Sequence, residues 1–342
     1  MSAKVIGAAV VALGVVGVGG YVAYSGLSGV QSNLIEQEIE TALSEFDPDA
    51  TLEYDSVSSG FLSSSAEMTD ASITLSTGET IQFERIVGEK NGYIEMENAS
   101  IGTTDGEAVS IDRIIVHELD TENEQPTFLR VSAQGVSFEG AAAALGPQTL
   151  VFNSLGYNFN DLTADMEFAY NFDAAAQQMN ASFSQSVADV GSLSGQMVIG
   201  DFDSDDFAMM FDSFDSDTLS DEATLEALDA SLVSIELSYQ DDSLVPRVYD
   251  FVSAMQQVSV EEVEQMALLF VDQLQTELPE GEFRRQATTA AATFIEEPRS
   301  LTLTIAPSTP LSFDTLSQDL SDKRDFDYIV NFYGLSIAAN TQ

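Results

Sequence analysis

The densest concentration of potential chemistry lies between Asp201 and Glu222, in the stretch DFDSDDFAMMFDSFDSDTLSDE. Asp201, Asp203 and Asp205 occupy the first, third and fifth positions of a calcium loop, and Asp212 falls on the twelfth. Such a loop needs glycine at its sixth position for the sharp turn, and Asp206 stands there. Its ninth position is Met209, which holds no water, and Asp212 is too short to reach the ion as a bidentate glutamate does. These four aspartates are the candidate cation ligands of the chain, and the mismatches argue against an EF-hand. The apolar residues are as informative as the acids. Phe207, Met210, Phe211 and Phe214 follow an i, i+3, i+4, i+7 spacing, which predicts a short helix with an aromatic face laid on a sheet. The stretch reads as an acid-coated connection, with a loose divalent-cation site as the alternative.

Other chemistry is sparse. The chain has no cysteine, so disulfides, thiolate metal sites and cysteine nucleophiles are excluded. His117 is the single histidine, in the strand-like run VSIDRIIVHEL. Any Ser-His-Asp triad would have to use it, and no second imidazole exists for a zinc site. The nucleophile-elbow, Walker A, dinucleotide and zincin motifs are missing. With 57 acids, carboxylate pairs are unavoidable, and none is singled out as a glycosidase dyad. No catalytic residue, cofactor or resident metal is expected. A carboxylate-based hydrolase is the remaining enzymatic alternative, and it would need two carboxyl groups with raised pKa in one cleft.

Charge bounds the partners. The 57 acids face 11 bases, a net charge of -46. Such a field repels phosphate backbones and anionic headgroups, so nucleic-acid binding is not expected. Bases are scarce throughout, with only Lys4, Lys90 and Lys323 as lysines, which fits a general acidic coat for a saline setting. A hydrophobic content of 44% supports a sizeable core and argues against wholesale disorder.

The elements that must position any site begin at the N-terminus. Residues 5–24, VIGAAVVALGVVGVGGYVAY, carry no charge, and at ~1.5 Å per residue they span a ~30 Å hydrocarbon core. The run exceeds the usual signal-peptide core, which favours an uncleaved anchor over a cleaved signal sequence. Lys4 and the terminal amine then keep residues 1–4 in the cytoplasm and place the body outside. Residues 25–47 read as a juxtamembrane amphipathic helix, with Leu27, Val30, Leu34, Ile35, Ile39 and Leu43 on its stripe.

Residues 48–200 switch to a period of two and read as antiparallel strands. In DLTADMEFAYNFD, Leu162, Ala164, Met166, Phe168, Tyr170 and Phe172 share one face. Residues 201–230 form the acidic connection. Residues 231–342 read as a strand, three helices, a strand, a short helix and a last strand. The second of those three helices opens with the capping box Ser259-x-x-Glu262, followed by a stripe of Val263, Met266, Ala267, Phe270 and Leu274. The helix before it carries Leu244, Val248, Phe251, Val252 and Met255. EFAYNFD and ELSYQDD form a weak internal match. The expected fold class is α+β: an N-terminal transmembrane helix, then a long, curved, mostly antiparallel sheet with helices packed on it in the C-terminal half.

Three stretches carry a resemblance. YDSVSSGFLSSSAEMTDASITLSTG resembles the early segment of YdgA-like bacterial envelope proteins, SIELSYQDDSLVPRVYDFVSAMQQVSVEEV a later strand-to-helix element of related proteins, and FIEEPRSLTLTIAPSTPLSF their closing strand. The pattern of an anchor followed by amphipathic strands is similar to AsmA-like proteins. The resemblance implies a single-pass inner-membrane protein with a β-rich periplasmic domain, and AsmA-like relatives imply envelope assembly and lipid movement. It supplies no functional residue. The expected function is thus a membrane-anchored, non-enzymatic envelope protein that binds or guides a lipid or other apolar ligand. The alternative is an envelope protein-interaction or structural module.

Overall fold

The computed structural model describes residues 49–59, 65–76, 78–89, 93–102, 108–122, 125–137, 147–204, 206, 229–278, 280–321 and 326–341. The expected anchor and the juxtamembrane helix lie outside the described residues. Among the described residues no helix is long and apolar enough to cross a membrane. The fold is mostly one antiparallel sheet of 14 strands with a few helices, mainly C-terminal.

The first strands are β1 (Thr51–Glu53), β2 (Ser56–Ser59), β3 (Ser65–Thr74), β4 (Thr80–Glu89), β5 (Ile94–Gly102), β6 (Ala108–Glu122), β7 (Gln125–Ser137) and β8 (Thr163–Asp173). They continue with β9 (Gln178–Val187), β10 (Gly191–Gly200), β11 (Ser231–Asp241), β12 (Ser300–Ile305), β13 (Leu311–Ser312) and β14 (Leu335–Ala339). Sheet order follows chain order from β3 to β12, with β1 outside β3 and β14 outside β12; β2 also pairs with β3 and β13 with β11. The helices are α1 (Pro147–Ser154), α2 (Leu244–Gln256), α3 (Val260–Glu277), α4 (Glu282–Glu296), α5 (Phe313–Ser321) and α6 (Phe326–Phe332). The chain divides into two compact units, Met1–Ala169 and Tyr170–Gln342, with the division inside β8.

Within the first unit, β3 to β6 repeat a pattern. Glu67-Met68-Thr69-Asp70-Ala71-Ser72-Ile73 on β3 returns as Glu95-Met96-Glu97-Asn98-Ala99-Ser100-Ile101 on β5. Ile81-Gln82-Phe83-Glu84-Arg85-Ile86 on β4 returns as Val109-Ser110-Ile111-Asp112-Arg113-Ile114 on β6. Each copy is one hairpin, so the array is built by adding similar two-strand steps. Register brings like positions into rows: Met68, Ile86, Met96, Ile114 and Ala133 follow one another across five strands. Most of this row is buried.

Strict alternation slips at one place on each strand. Thr69-Asp70, Glu84-Arg85, Glu97-Asn98, Asp112-Arg113 and Gln134-Gly135 are successive pairs flanked on both sides by more deeply buried residues. The ladders skip a position there. The alternate strands absorb the slip with positive φ, at Asp70 (50°), Asn98 (51°) and Gly135 (63°). Aspartate and asparagine tolerate this region better than other side chains, and glycine tolerates it best.

The second unit is a two-layer structure. On one face of its sheet the rows are apolar. Met197, Ile235, Ile305 and Leu335 form one, and Leu193, Tyr239, Leu301 and Ala339 another. Helices cover this face along β11, β12 and β14, while Phe183, in the row between on β9, is 42% exposed. Met197, Ile235 and Ile305 of the sheet, Leu316 of α5, and Tyr328 and Ile329 of α6 all pack against the buried cluster of Leu232, Leu311 and Tyr333. Phe294 of α4 meets Tyr239 edge-on at 6.1 Å between centroids. The capping box forms as the sequence predicts: Ser259 N–H donates to Glu262 Oε2 at 2.8 Å, and Glu262 N–H donates to Ser259 Oγ at 3.2 Å.

Two members of the predicted helical stripes are corrected. Phe270 is 68% exposed, beside Leu269 at 66%. The reason is that α3 contacts α2 and α4 in turn. Its buried line therefore moves around the helix from Val263 to Val271 and leaves Phe270 outside. Met255, 67% exposed, sits in the last turn of α2 just before Gln257, whose φ of 57° closes the helix. On β8, Ala164, Tyr170 and Phe172 are buried as expected, while Phe168 is exposed.

Candidate functional site

The start of the acidic stretch is a clasp. Strands β10 and β11 pair directly, with Gly200 opposite Ser231, so residues 201–230 leave and re-enter the sheet at one point. Asp201 adopts φ 52°, and its Oδ2 accepts a hydrogen bond from Ser231 Oγ at 2.7 Å. Asp203 and Asp206 form a reciprocal box. Asp206 N–H donates to Asp203 Oδ1 at 3.0 Å, and Asp203 N–H donates to Asp206 Oδ2 at 3.2 Å. The other oxygen of Asp206, Oδ1, accepts from Asp229 N–H at 3.0 Å. One buried carboxylate thus ties both ends of the connection together. Phe202 between these acids is fully buried and meets Phe172 edge-on at 5.8 Å.

This arrangement decides how the candidate cation ligands are used. Asp201 and Asp203 turn their carboxylates to a serine hydroxyl and a backbone amide. Asp205 and Asp212 lie outside the described residues, as does the predicted aromatic helix. Among the described residues no group of three or more histidines, aspartates or glutamates is placed to hold a metal ion. Asp206 counts only as a mismatch in a calcium loop and Ser231 lies beyond it, yet these two hold the clasp. The signal for Asp206 is the D-x-x-D spacing, the same box as Ser259 and Glu262 with shorter acids.

His117 occupies a bulge. The β6–β7 register shifts between Val116 and Glu118, leaving His117 as the extra residue. Its Nε2 shares a 2.8 Å hydrogen bond with Ser132 Oγ across the ladder. Ser132 is buried, so the contact satisfies a hydroxyl that water does not reach. A serine nucleophile needs an accessible oxygen, and Ser132 is buried.

The outward pairs of the first unit form the other polar constellation. Arg85 bridges Glu67 at 2.7 Å and Glu97 at 3.2 Å, and Arg113 holds Glu95 at 2.9 Å. Arg130 takes both oxygens of Glu167, at 3.2 and 3.0 Å. The bond to Glu67 is the main cause that raises the Arg85 pKa, and the bond to Glu167 does the same for Arg130. Asn98 Nδ2 donates to Glu84 in the next strand. Gly135 N–H donates to Asp165 Oδ1 at 2.9 Å, and a Cβ on Gly135 would collide with the Asp112 carboxylate. These acids are partners of arginines, an asparagine and a backbone amide in neighbouring strands.

The EFAYNFD and ELSYQDD match aligns Asp173 with Asp242, whereas the aspartates that catch the chain at the strand ends are Asp173 and Asp241, one position apart in the match. Asp173 ends β8 and its Oδ1 accepts from Ala175 and Ala176 N–H. Asp241 ends β11 and its Oδ1 accepts from Val245 N–H in α2 and from Tyr239 Oη. Both aspartates catch the chain as it leaves a strand.

Two comparisons bear on identity. No curated protein matches this chain. A family model described only as "Uncharacterized protein" matches residues 184–340, the span from β9 through β14 and all of the helical layer.

Proposed function

We propose that this chain is a membrane-tethered, non-enzymatic protein of the bacterial envelope whose antiparallel sheet serves as an interaction module. The observation that carries the choice is the covered apolar face of the second unit. Met197, Ile235 and Ile305 share one packed cluster with residues of α5 and α6, and Tyr239 meets Phe294 of α4. A lipid guide would keep such rows open to its ligand. Support for the non-enzymatic reading comes from the burial of Ser132, the hydroxyl that His117 bonds, and from carboxylates committed to capping and cross-strand contacts. The location rests on the uncharged run at residues 5–24 and on the resemblance to YdgA-like and AsmA-like proteins.

Crosslinking of intact membranes tests the reading. A partner recovered with the chain, and no lipid on the purified protein by native mass spectrometry, is the expected result. A stoichiometric phospholipid on the purified chain with no crosslinked partner would overturn it. Lipid guidance on a curved sheet is the second reading, favoured by the exposed Phe183 on the sheet's apolar face.

A further inference from the structure

The second face of the sheet in the second unit has a composition unlike the rest of the molecule. Its central row runs Ser184, Ser194, Ser238, Thr302 and Ala338 across five strands. The next row is Ser182, Gln196, Glu236, Thr304 and Ser336. On the other side lie Ser186, Ser192, Gln240 and Ser300. Glu236 is the sole charge in these rows. Ser184, Ser194, Gln196 and Gln240 are exposed, and Ser238 Oγ and Thr302 Oγ1 share a 3.1 Å hydrogen bond.

The contrast with the helical layer is sharp. Asp250, Glu261, Glu262, Glu282 and Glu296 are exposed on α2, α3 and α4. In a chain of net charge -46, an acidic coat covers one layer and stops at the other. The strands place hydroxyls ~4.8 Å apart across the sheet and ~6.8 Å apart along it. Each hydroxyl both donates and accepts, and short side chains lose little rotamer freedom when a ligand fixes them.

We infer that this face binds an uncharged polysaccharide. Charge decides among occupants. An anionic polymer or membrane is repelled by the whole chain, a cationic protein is drawn to the acidic helices instead, and an apolar ligand finds no apolar row. A second copy of the chain fits less well, because the rows cover roughly 500 Å² at the strand spacings above, against the ~800 Å² per partner of a stable dimer. A neutral glycan brings alternating hydroxyl donors and acceptors, needs only a strip of this face, and carries no charge to oppose the field. The inference names a partner class for the interaction module and rests on that reading. Its test uses purified protein, so its failure leaves the membrane-crosslinking result standing.

The full chain, held in a polyoxyethylene detergent that contains no sugar, is passed over cellulose, amylose resin and carboxymethyl cellulose. Retention on a neutral glucan and none on the carboxymethylated form is expected. Ser194→Glu/Ser238→Glu should lower retention about tenfold, since each carboxylate displaces a hydroxyl and opposes burial. Ser194→Ala/Ser238→Ala, which keeps the small volume, should lower it severalfold with an unchanged urea midpoint. Glu261→Gln on the helical layer should leave it unchanged. No retention of the wild type on either neutral glucan overturns the inference. So does retention that the alanine pair leaves intact, equal retention on carboxymethyl cellulose, or a concentration-dependent dimer that the glutamate pair abolishes.

Discussion

Gly135→Ala tests the slip in the first unit's sheet most directly. Gly135 holds φ 63°, and its missing Cβ faces the Asp112 side chain on the neighbouring strand. A left-handed conformation costs an L-residue ~1–2 kcal/mol. Displacing the Asp112 carboxylate adds about 1 kcal/mol, because an exposed acid moves but its own strand limits how far. The expected loss of stability is thus about 2–3 kcal/mol, read from the urea midpoint by far-ultraviolet circular dichroism. The second background separates the two causes. In Asp112→Ala the two nearest colliding atoms are gone, so the added cost of Gly135→Ala should fall to ~1–2 kcal/mol. Asn98→Gly, in the same sheet row, relieves positive φ but loses the bond to Glu84, so it should change little. A loss below ~0.5 kcal/mol for Gly135→Ala, or the same loss in both backgrounds, would refute the argument.

Three further outcomes follow from the second unit. Phe202→Ala removes a fully buried ring stacked edge-on with Phe172 and should cost about 3–5 kcal/mol in urea unfolding. Asp206→Ala leaves the amides of Asp203 and Asp229 without their acceptor and should cost ~2–3 kcal/mol; millimolar calcium should leave the wild-type midpoint unshifted, and a large calcium-dependent rise would restore the cation reading. Burial raises the Tyr170 pKa well above the ordinary phenol. Above pH ~10 the unfolded chain releases this proton and the folded chain keeps it, so stability should fall as pH rises past that point. The fall should be shallower in Tyr170→Phe, and equal slopes would show that Tyr170 carries none of it.

The antiparallel sheet was legible because alternation is a strong local signal, and so was the Ser259–Glu262 box. The hairpin repeat was equally present in Met68-Thr-Asp-Ala-Ser-Ile and Met96-Glu-Asn-Ala-Ser-Ile, but a strand-by-strand reading compares neighbours rather than alternate strands. Two helices had no local signature. In α1, Leu150 and Val151 are exposed, so no apolar stripe marks it. In α6, Phe-Asp-Tyr-Ile-Val-Asn-Phe is rich in aromatic and β-branched residues and suits a strand by propensity. Packing of Ile329 and Tyr328 against the cluster of Leu232, Leu311 and Tyr333 decides it otherwise. Phe270 failed for a related reason: helical periodicity fixes which residues share a face, but the neighbours on each turn fix which part of the face is buried.

The acidic stretch carries the wider lesson about sites in this chain. With carboxylates this abundant, any loop rich in aspartate satisfies part of a metal motif by composition. What separates a ligand from a structural acid is where the oxygens already point. Asp201, Asp203 and Asp206 give theirs to Ser231 Oγ and to backbone amides at both ends of one connection. A cation would have to displace those bonds and then gather ligands from a clasp built to close a loop. In the reverse sense, the informative surface is the one where acids are missing. Selection for a charged coat acts on every solvated face alike, so a broad neutral face needs a cause of its own. Contact with an uncharged partner is the cause that the hydroxyl rows between β9 and β14 supply.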